Sequence, residues 1–515
     1  MLEEDRRNLW WRKYGEATGN NYAKMPAELS LDNLLEITSQ PLLNYLVALS
    51  YRRSKDDSID PKNKIVFSKD TNLNAIYKDL LKSVYDRGWE KKQHPTLKEV
   101  EYPQFVRILE EIALAAWHGN GRTKTVREIE AYCENSGLKG ILKIFTEGAK
   151  AGVTNLLISF FFRQNGISNT GDRTFEFTHK SFGEYLTAIR IVRELRKINK
   201  QLKRRKDDPD DGWDEKQALT RWINILGKSA IDIYLFEFIR NEVTLQDKEE
   251  VAGWQKTLSH LIGYMLRQGM PMERQDPRPS YKEECRQSRN AEEALLIVLS
   301  ACARHTKEIS NIPWQSEEYS FARWLSRLKN QIEENDKIIV NQCLAWLNLE
   351  GANLYGAVLN KANLYGTILD EAYLYNANFY IANLDGASFR EANLEGADLE
   401  DAYLRKASLE GANLKRANLR KTNLYGADLR EADFRGADLE GANFYRADLR
   451  GADLEEANFY GACLEEANLN GANFRGANLQ GANLYGACLF KINIEGANFR
   501  GANLHKTNLY GAKLD

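Results

Sequence analysis

The chain of 515 residues is poor in several features that would assign it to a class. Its six cysteines are dispersed without a CxxC pair, so we expect reduced thiols rather than a disulfide framework or a zinc site. No apolar run approaches about 18 residues and no apolar signal region begins the chain, so we expect no membrane-spanning helix and a cytoplasmic location. A net charge of −2 implies no general attraction to nucleic acid.

A five-residue period runs through the C-terminal third of the chain. From Ala352 onward every fifth residue is Ala or Thr apart from Ile492, and the second residue after it is Leu or Phe apart from Ile494. Five residues advance about 140° on a helix, and an odd step reverses the face of a strand, so neither element keeps these residues on one side. The chain must therefore turn a corner in every pentad, and four pentads close a square coil of about twenty residues.

Glycine recurs two places after the apolar centre, where a tight turn with positive φ is expected, as at Gly356 and Gly436. The whole pattern resembles the pentapeptide-repeat family, and the resemblance covers residues 343–515. It implies a right-handed quadrilateral β-helix. Stacked repeats need a lid at their end, and we predict that an amphipathic helix over residues 317–346 covers the first coil.

Residues twenty apart are expected to share one face of this rod. Charges mostly alternate in sign along such columns, for example at Glu395, Lys415 and Arg435, which favours pairing between neighbouring coils. Either the rod is a self-paired solvated surface or one face is a charged docking site. Some pentapeptide-repeat proteins mimic DNA and inhibit gyrase, but that activity needs a concentrated acidic surface, and the mixed columns disfavour it.

An aromatic column is a second candidate interaction surface of the rod. Outward tyrosines are enriched at protein interfaces, although tyrosine also simply suits an outward strand position. The column consists of Tyr365, Tyr425, Tyr445, Tyr485 and His505.

The last coil is expected to expose strand edges and leucine side chains. Twofold pairing is the commonest closed solution for such an end. We therefore predict a homodimer through residues 495–515, or a protein partner in its place, with Leu504, Leu509 and Leu514 at the contact.

The first 342 residues have a helical character. Amphipathic helices are predicted over residues 30–50, with Asp32 as a cap and Pro41 starting a second helix, and over residues 77–89 and 102–117. HGNGRTKT at residues 118–125 is similar to a phosphate loop but lacks the Gly before Lys of GxxxxGK(S/T) and follows a helix. A helix end followed by a Thr cap accounts for it.

Residues 154–197 predict a winged-helix-like unit: a strand over 156–164, a loop over 165–172, a strand over 173–178 and then a helix. FEFTHKSFGEYL at residues 175–186 closely resembles the winged-helix segment of NACHT-type signal-transduction ATPases, also called STAND ATPases. ITSQPLL at residues 37–43 resembles the segment after the nucleotide core of the same family, and residues 216–310 match its second helical domain less specifically.

The NACHT resemblance implies two nucleotide contacts. The proline matching Pro41 packs on adenine, and the histidine matching His179 senses the β-phosphate of bound ADP. Yet no phosphate loop, acidic magnesium-binding strand or sensor arginine region precedes Pro41, so the core that holds the triphosphate is missing. His179 then remains as a structural residue, and we expect no bound cofactor, no metal and no catalysis.

These patterns predict four parts: residues 1–75 as a helical segment, 76–198 as a winged-helix-like domain, 199–342 as a helical domain with the capping helix, and 343–515 as the β-helix. The favoured function is a non-catalytic protein-interaction scaffold, whose arm docks on a partner such as a NACHT core in another chain. The alternative is the C-terminal portion of a NACHT-type signalling ATPase whose core lies upstream or in another chain. The basic residues between Arg196 and Lys206 run directly into acidic ones, so nucleic-acid binding is not expected.

Overall fold

The computed structural model describes residues 5–20, 22–30, 34–39, 41–55, 65–68, 71–90, 101–119, 124–135, 162–167, 173–177, 179–313, 320–329 and 337–513. The chain divides into two compact units. The first comprises Met1–Leu195 with Tyr234–Gln246, and the second comprises Arg196–Ile233 with Asp247–Asp515. In the described residues no helix is long and apolar enough to cross a membrane.

The first unit is largely helical, as predicted. Its helices include α1 (Arg6–Thr18), α2 (Leu35–Ser39), α3 (Pro41–Ser54), α4 (Leu73–Glu90), α5 (Tyr102–Trp117) and α6 (Val126–Asn135). Helix α5 has the predicted bounds and α3 begins at Pro41 as expected, whereas Asp32 lies outside the described residues. In the phosphate-loop lookalike, Thr125 caps α6: its Oγ1 accepts from the Glu128 N–H at 3.3 Å, and its own N–H donates to Glu128 Oε2 at 3.0 Å.

A small antiparallel sheet follows these helices. Its strands β1 (Lys124–Thr125), β2 (Phe162–Ile167) and β3 (Arg173–Phe177) lie in the order β1-β3-β2. The predicted strand over 173–178 corresponds to β3, and residues 156–161 lie outside the described part. The prediction of a loop from residue 165 was wrong at its start, because Asn165–Ile167 continue β2 past an irregularity between Gln164 and Gly166.

Helix α7 (Lys180–Asp207) begins directly after the sheet and carries buried charges. Within the first unit the Arg190 guanidinium donates to Glu111 at 2.6 Å and to Glu194 at 2.8 Å, with all three side chains almost fully buried. Arg193 forms a two-bonded pair with Glu110, both bonds 2.7 Å. Burial raises the pKa of Glu110, and the paired Arg193 opposes that rise by favouring the charged carboxylate.

The second unit contains the remaining helices and the repeat rod. The helices after α7 are α8 (Glu215–Leu226), α9 (Ile233–Thr244), which lies mostly in the first unit, α10 (Lys248–Gln268), α11 (Tyr281–Thr306), α12 (Ser320–Lys329) and α13 (Lys337–Gln342). The predicted helix over 317–346 was wrong at its end, because α13 stops at Gln342 and residues 343–346 already belong to the rod, while residues 317–319 and 330–336 lie outside the described part. Glu292 on α11 holds α12 by accepting from Trp324 Nε1 at 3.0 Å and from Arg327.

The rod coils with a period of twenty residues, as the repeat predicts. Each side pairs in parallel with the side twenty residues on, so Asn353 pairs with Tyr373 and that residue with Asn393. The Leu354 N–H donates to the Tyr373 carbonyl at 2.8 Å, and the Tyr373 N–H donates to the Ala352 carbonyl at 2.9 Å. Every Leu or Phe at the pentad centre from Leu354 to Leu489 is at most 1% exposed, and the pattern continues around all four sides.

The first coil is also covered by a segment that the sequence did not point to. Ser310, just after α11, donates its N–H to the Trp346 carbonyl at 2.7 Å and accepts from the Asn348 N–H at 3.1 Å. Its side chain is buried, and its Oγ accepts from Gln255 Nε2 at 2.8 Å. The lid of the rod therefore includes an extended strand-like piece as well as α13.

Candidate interaction surface

The rod displays outward side chains from fixed positions in every pentad. The residue before each centre is mostly Asn or Asp, and its side chain bonds the backbone of the same side. For example, Asn443 Oδ1 accepts from the Tyr445 N–H at 3.0 Å. The residue after the centre then projects outward from a backbone that is fixed on both sides. The outer surface is therefore a rigid grid with a spacing set by the coil.

Charged side chains on this grid pair across coils, as the alternating columns predict. Arg420 donates to Glu440 at 2.8 Å, Arg475 contacts Glu455 at 3.3 Å, and Arg446 donates to Glu466 at 2.7 Å. These pairs are largely solvent-exposed, so water and salt screen them and each one adds little to the stability of the rod. The pairs do neutralise much of the surface charge in the middle of the rod.

The predicted aromatic column lies on one side of the rod but does not form a continuous stripe. The rings of Tyr425 and Tyr445 lie 5.6 Å apart, and those of Tyr485 and His505 stack at 5.7 Å. Tyr365 packs instead on Trp346 at 5.4 Å. The intervening positions hold Asp385 and Arg405, which form an ion pair at 2.5 Å, and Glu465. The structure thus brings Tyr425 close to Tyr445 and Tyr485 close to His505, but it keeps these two pairs apart from each other.

A tyrosine cluster on another side of the rod was missed by the sequence analysis. The rings of Tyr355 and Tyr375 stack at 5.7 Å and 8°, and Tyr373 lies 6.2 Å from Tyr355 and 6.4 Å from Tyr375. Tyr355 is 58% exposed and Tyr373 is 40% exposed. The signal is present in the period, since residues eighteen and twenty apart meet on one side of the rod.

The two residues implied by the NACHT resemblance lie at element boundaries of the first unit. Pro41 is the first residue of α3, and His179 lies between β3 and α7, where its carbonyl accepts from the Phe182 N–H at 3.1 Å. Burial lowers the pKa of His179, which favours the neutral imidazole expected beside a helix N-terminus. A role of either residue in binding nucleotide stays a prediction.

The second unit contains a polar cleft of about 400 Å³ between α10 and the segment that covers the rod. Its lining includes Lys256, Ser259, His260 and Glu308. Ser259 and His260 are adjacent on the helix, and His260 Nε2 lies 2.8 Å from Glu215 Oε1. Adjacent helical residues point in different directions, so these groups do not form a nucleophile and its base. In the part of the chain that the structure describes, no cluster of three or more potential ligands could hold a metal.

The predicted dimer contact lies in the last described coil. Leu509 is 40% exposed, whereas Leu489, one coil earlier, is fully buried. Leu504 is partly exposed, and Leu514 lies outside the described residues. The apolar centres in this coil are therefore less covered than those in the coils before it.

Comparison with known proteins assigns the rod to a protein family. The family model described as pentapeptide repeats matches eight copies between residues 343 and 515. HetL, a pentapeptide repeat protein involved in heterocyst differentiation regulation from Nostoc sp. strain PCC 7120, is 39% identical over 32% of this chain and 84% of its own, with a TM-score of 0.18. Rfr23 of Cyanothece 51142 is 41% identical over 20% of this chain and 60% of its own, with a TM-score of 0.14. No curated protein matches the chain. Through residues 343–515 the chain belongs to the pentapeptide-repeat proteins.

Proposed function

We propose that this pentapeptide-repeat protein is a non-catalytic interaction scaffold, in which the rod recognises another protein. The observation that carries this proposal is the rigid outward grid of aromatic and charged side chains, such as the Tyr425 and Tyr445 rings 5.6 Å apart. Rigid tyrosines offer contact area at a low entropic cost, which suits a recognition surface. The six cysteines, all in the described part of the chain, form no disulfide, which supports a reducing, cytoplasmic location as part of the same proposal.

The test is capture of a partner by the full chain, followed by calorimetry with the purified partner. The variant Tyr425→Ala with Tyr445→Ala should weaken that complex by at least about tenfold. Arg450→Ala, an exposed position on the neighbouring side, serves as the control and should leave affinity within about twofold. A chain that retains no protein at stoichiometric amounts would contradict the scaffold role.

The N-terminal part of the chain is proposed to be a NACHT-like docking or regulatory arm. Support comes from a β2–β3 hairpin that leads into the long helix α7, with His179 at the junction and Pro41 at the start of α3. Its partner would be a nucleotide-binding core in another chain. In the alternative, the chain is the C-terminal portion of a NACHT-type signalling ATPase, and a reading frame with GxxxxGK(S/T) directly upstream would favour it. Gyrase inhibition is the least supported hypothesis, because the charges in the middle of the rod are paired. A supercoiling assay would test it.

A further inference from the structure

The acidity of the rod is concentrated in its first coils. Residues 350–399 hold seven acidic and two basic side chains, a net charge of −5, whereas residues 400–515 hold 16 acidic and 15 basic ones, a net charge of −1. The later coils are therefore nearly neutral and largely paired. The first coils carry almost all of the excess negative charge, and the tyrosine cluster lies among them.

Carboxylates beside the tyrosine cluster are left available. Glu371 occupies the corner immediately before Tyr373, and Glu391 occupies the same corner one coil further on. Both residues are exposed, and within the described rod neither forms an ion pair. Glu395 lies in the column of Tyr355 and Tyr375, one coil beyond the latter. The cluster thus combines exposed aromatic rings with two exposed carboxylates, Glu371 and Glu391, that form no ion pair within the described rod.

We infer that this side of the first coils, formed by Tyr355, Tyr373 and Tyr375 with Glu371 and Glu391, binds an arginine-bearing segment of a partner protein. A guanidinium stacks on tyrosine faces and pairs with carboxylates at the same time, which an ammonium does less well. The same negative charge repels phosphates, so nucleic acid and anionic lipid surfaces are the wrong occupants. The inference deepens the proposed scaffold function by naming a surface and the chemistry of its partner.

The surface suits an extended segment rather than a globular contact. Tyr355 and Tyr375 occupy equivalent positions in consecutive coils, and strands in adjacent coils are about 4.8 Å apart. An extended peptide that crosses the coils places alternate side chains on one face at roughly 7 Å, so one arginine can reach the tyrosines while the next reaches the corner carboxylates.

The experiment measures binding of the full chain to two fluorescein-labelled peptides by anisotropy. In one peptide arginine alternates with glycine, and in the other citrulline replaces every arginine, which keeps the shape and removes the charge. The wild-type chain should bind the arginine peptide at least about tenfold more tightly, and the preference should shrink as salt is raised. Equal binding of the two peptides would overturn the inference.

Matched variants locate the site. Tyr355→Ala with Tyr373→Ala should weaken arginine-peptide binding about tenfold, and Glu371→Gln with Glu391→Gln should weaken it several-fold and reduce its salt dependence. The controls are Tyr460→Ala, which is 48% exposed on another side, and Glu431→Gln, at the same corner two coils beyond Glu391. Melting temperatures should stay unchanged, because all these side chains are exposed.

Equal loss in the control and cluster variants would mean general attraction to an acidic protein and would overturn the site. Failure here is distinguishable from failure of the scaffold function. A chain that binds no arginine peptide but still retains a protein through Tyr425 and Tyr445 would refute this inference and leave the proposed function standing.

Discussion

At the residue scale, the corners of the rod impose an unusual backbone on ordinary side chains. Every fifth residue from Trp346 to Gly511 has a positive φ. Glycine occupies 18 of these corners, and the other 16 hold residues such as Lys, Arg, Glu and even Ile381. A side chain in this left-handed region costs about 1–2 kcal/mol relative to the right-handed one. Hydrogen bonding between coils must therefore offset strain at nearly half of the corners.

A pair of neighbouring corners can measure that strain. Gly386 has φ +67° and nothing within 4 Å of an added Cβ, so Gly386→Ala should destabilise the rod by about 1 kcal/mol through backbone strain alone. Ile381, at φ 56°, is a β-branched residue in the same conformation, and Ile381→Gly should stabilise the rod or cost nothing. Thermal melts followed by circular dichroism would compare them. Shifts of the same sign and size would contradict the strain argument.

The small position of each pentad should not tolerate bulk. Ala437 is 1% exposed with a coil on either side, so Ala437→Leu should destabilise the rod by about 1–3 kcal/mol through overpacking. Arg435 projects outward, pairs with Asp433 at 2.7 Å and is about half exposed. Arg435→Leu should cost under about 1 kcal/mol. Denaturant unfolding of both variants checks this, and equal losses would mean that the inward and outward assignment is wrong.

At the element scale, the pairing of α5 with α7 depends on buried charge. Arg190 pairs with the carboxylates of Glu111 and Glu194, and Arg193 pairs with that of Glu110. Such groups are expensive to bury, so the geometry of every bond matters. The network thus fixes how these two helices pack more than it adds to the stability of the first unit.

Removing one cation tests this view of the network. Arg190→Met removes the guanidinium that pairs with the buried carboxylates of Glu111 and Glu194, and we expect a loss of about 3–5 kcal/mol in the free energy of unfolding. The control is Arg196→Met on the same helix, because Arg196 is half exposed and pairs with the partly exposed Glu250. That variant should lose at most about 1 kcal/mol. Similar losses in urea denaturation would show that burial does not distinguish the two arginines.

At the scale of the whole molecule, a helical arm precedes a rod whose own lid comes partly from the segment around Ser310. Backbone hydrogen bonds continue from that segment into the first coil, and the helical part of the second unit and the rod belong to the same compact unit. The predicted boundary between a helical domain over 199–342 and the β-helix over 343–515 stays a prediction. Contacts within the second unit cross that boundary.

The whole chain is expected neither to bind nor to hydrolyse ATP. It contains no GxxxxGK(S/T) stretch, and the similar segment over residues 118–125 ends in the Thr125 cap of α6. Without that sequence motif, phosphates lack the loop of backbone N–H groups that usually cradles them. Isothermal calorimetry with ATP and ADP would check this. Stoichiometric binding at micromolar affinity would contradict it and direct attention to Pro41 and His179.

The last coil is expected to associate. Leu509 is 40% exposed at a position that is buried in every earlier coil, so covering it favours a second copy or another protein. Light scattering over a concentration series should show a weak homodimer. The variant Leu509→Arg with Leu514→Arg should remain monomeric. A wild-type chain that stays monomeric at high concentration would refute the dimer.

The five-residue period was enough by itself to determine the fold of the rod. Local spacing predicts the inward position of each Leu and Phe, the corner in each pentad and the pairing of residues twenty apart. It also predicts helices such as α5, whose apolar residues recur at helical spacing. Only the tertiary structure decided which distant groups meet. Arg190 and Glu111 are 79 residues apart, and Ser310 joins a coil that begins beyond two further helices. The tyrosine cluster likewise depends on the register between coils. No local pattern encodes such contacts, because they arise from how finished elements pack.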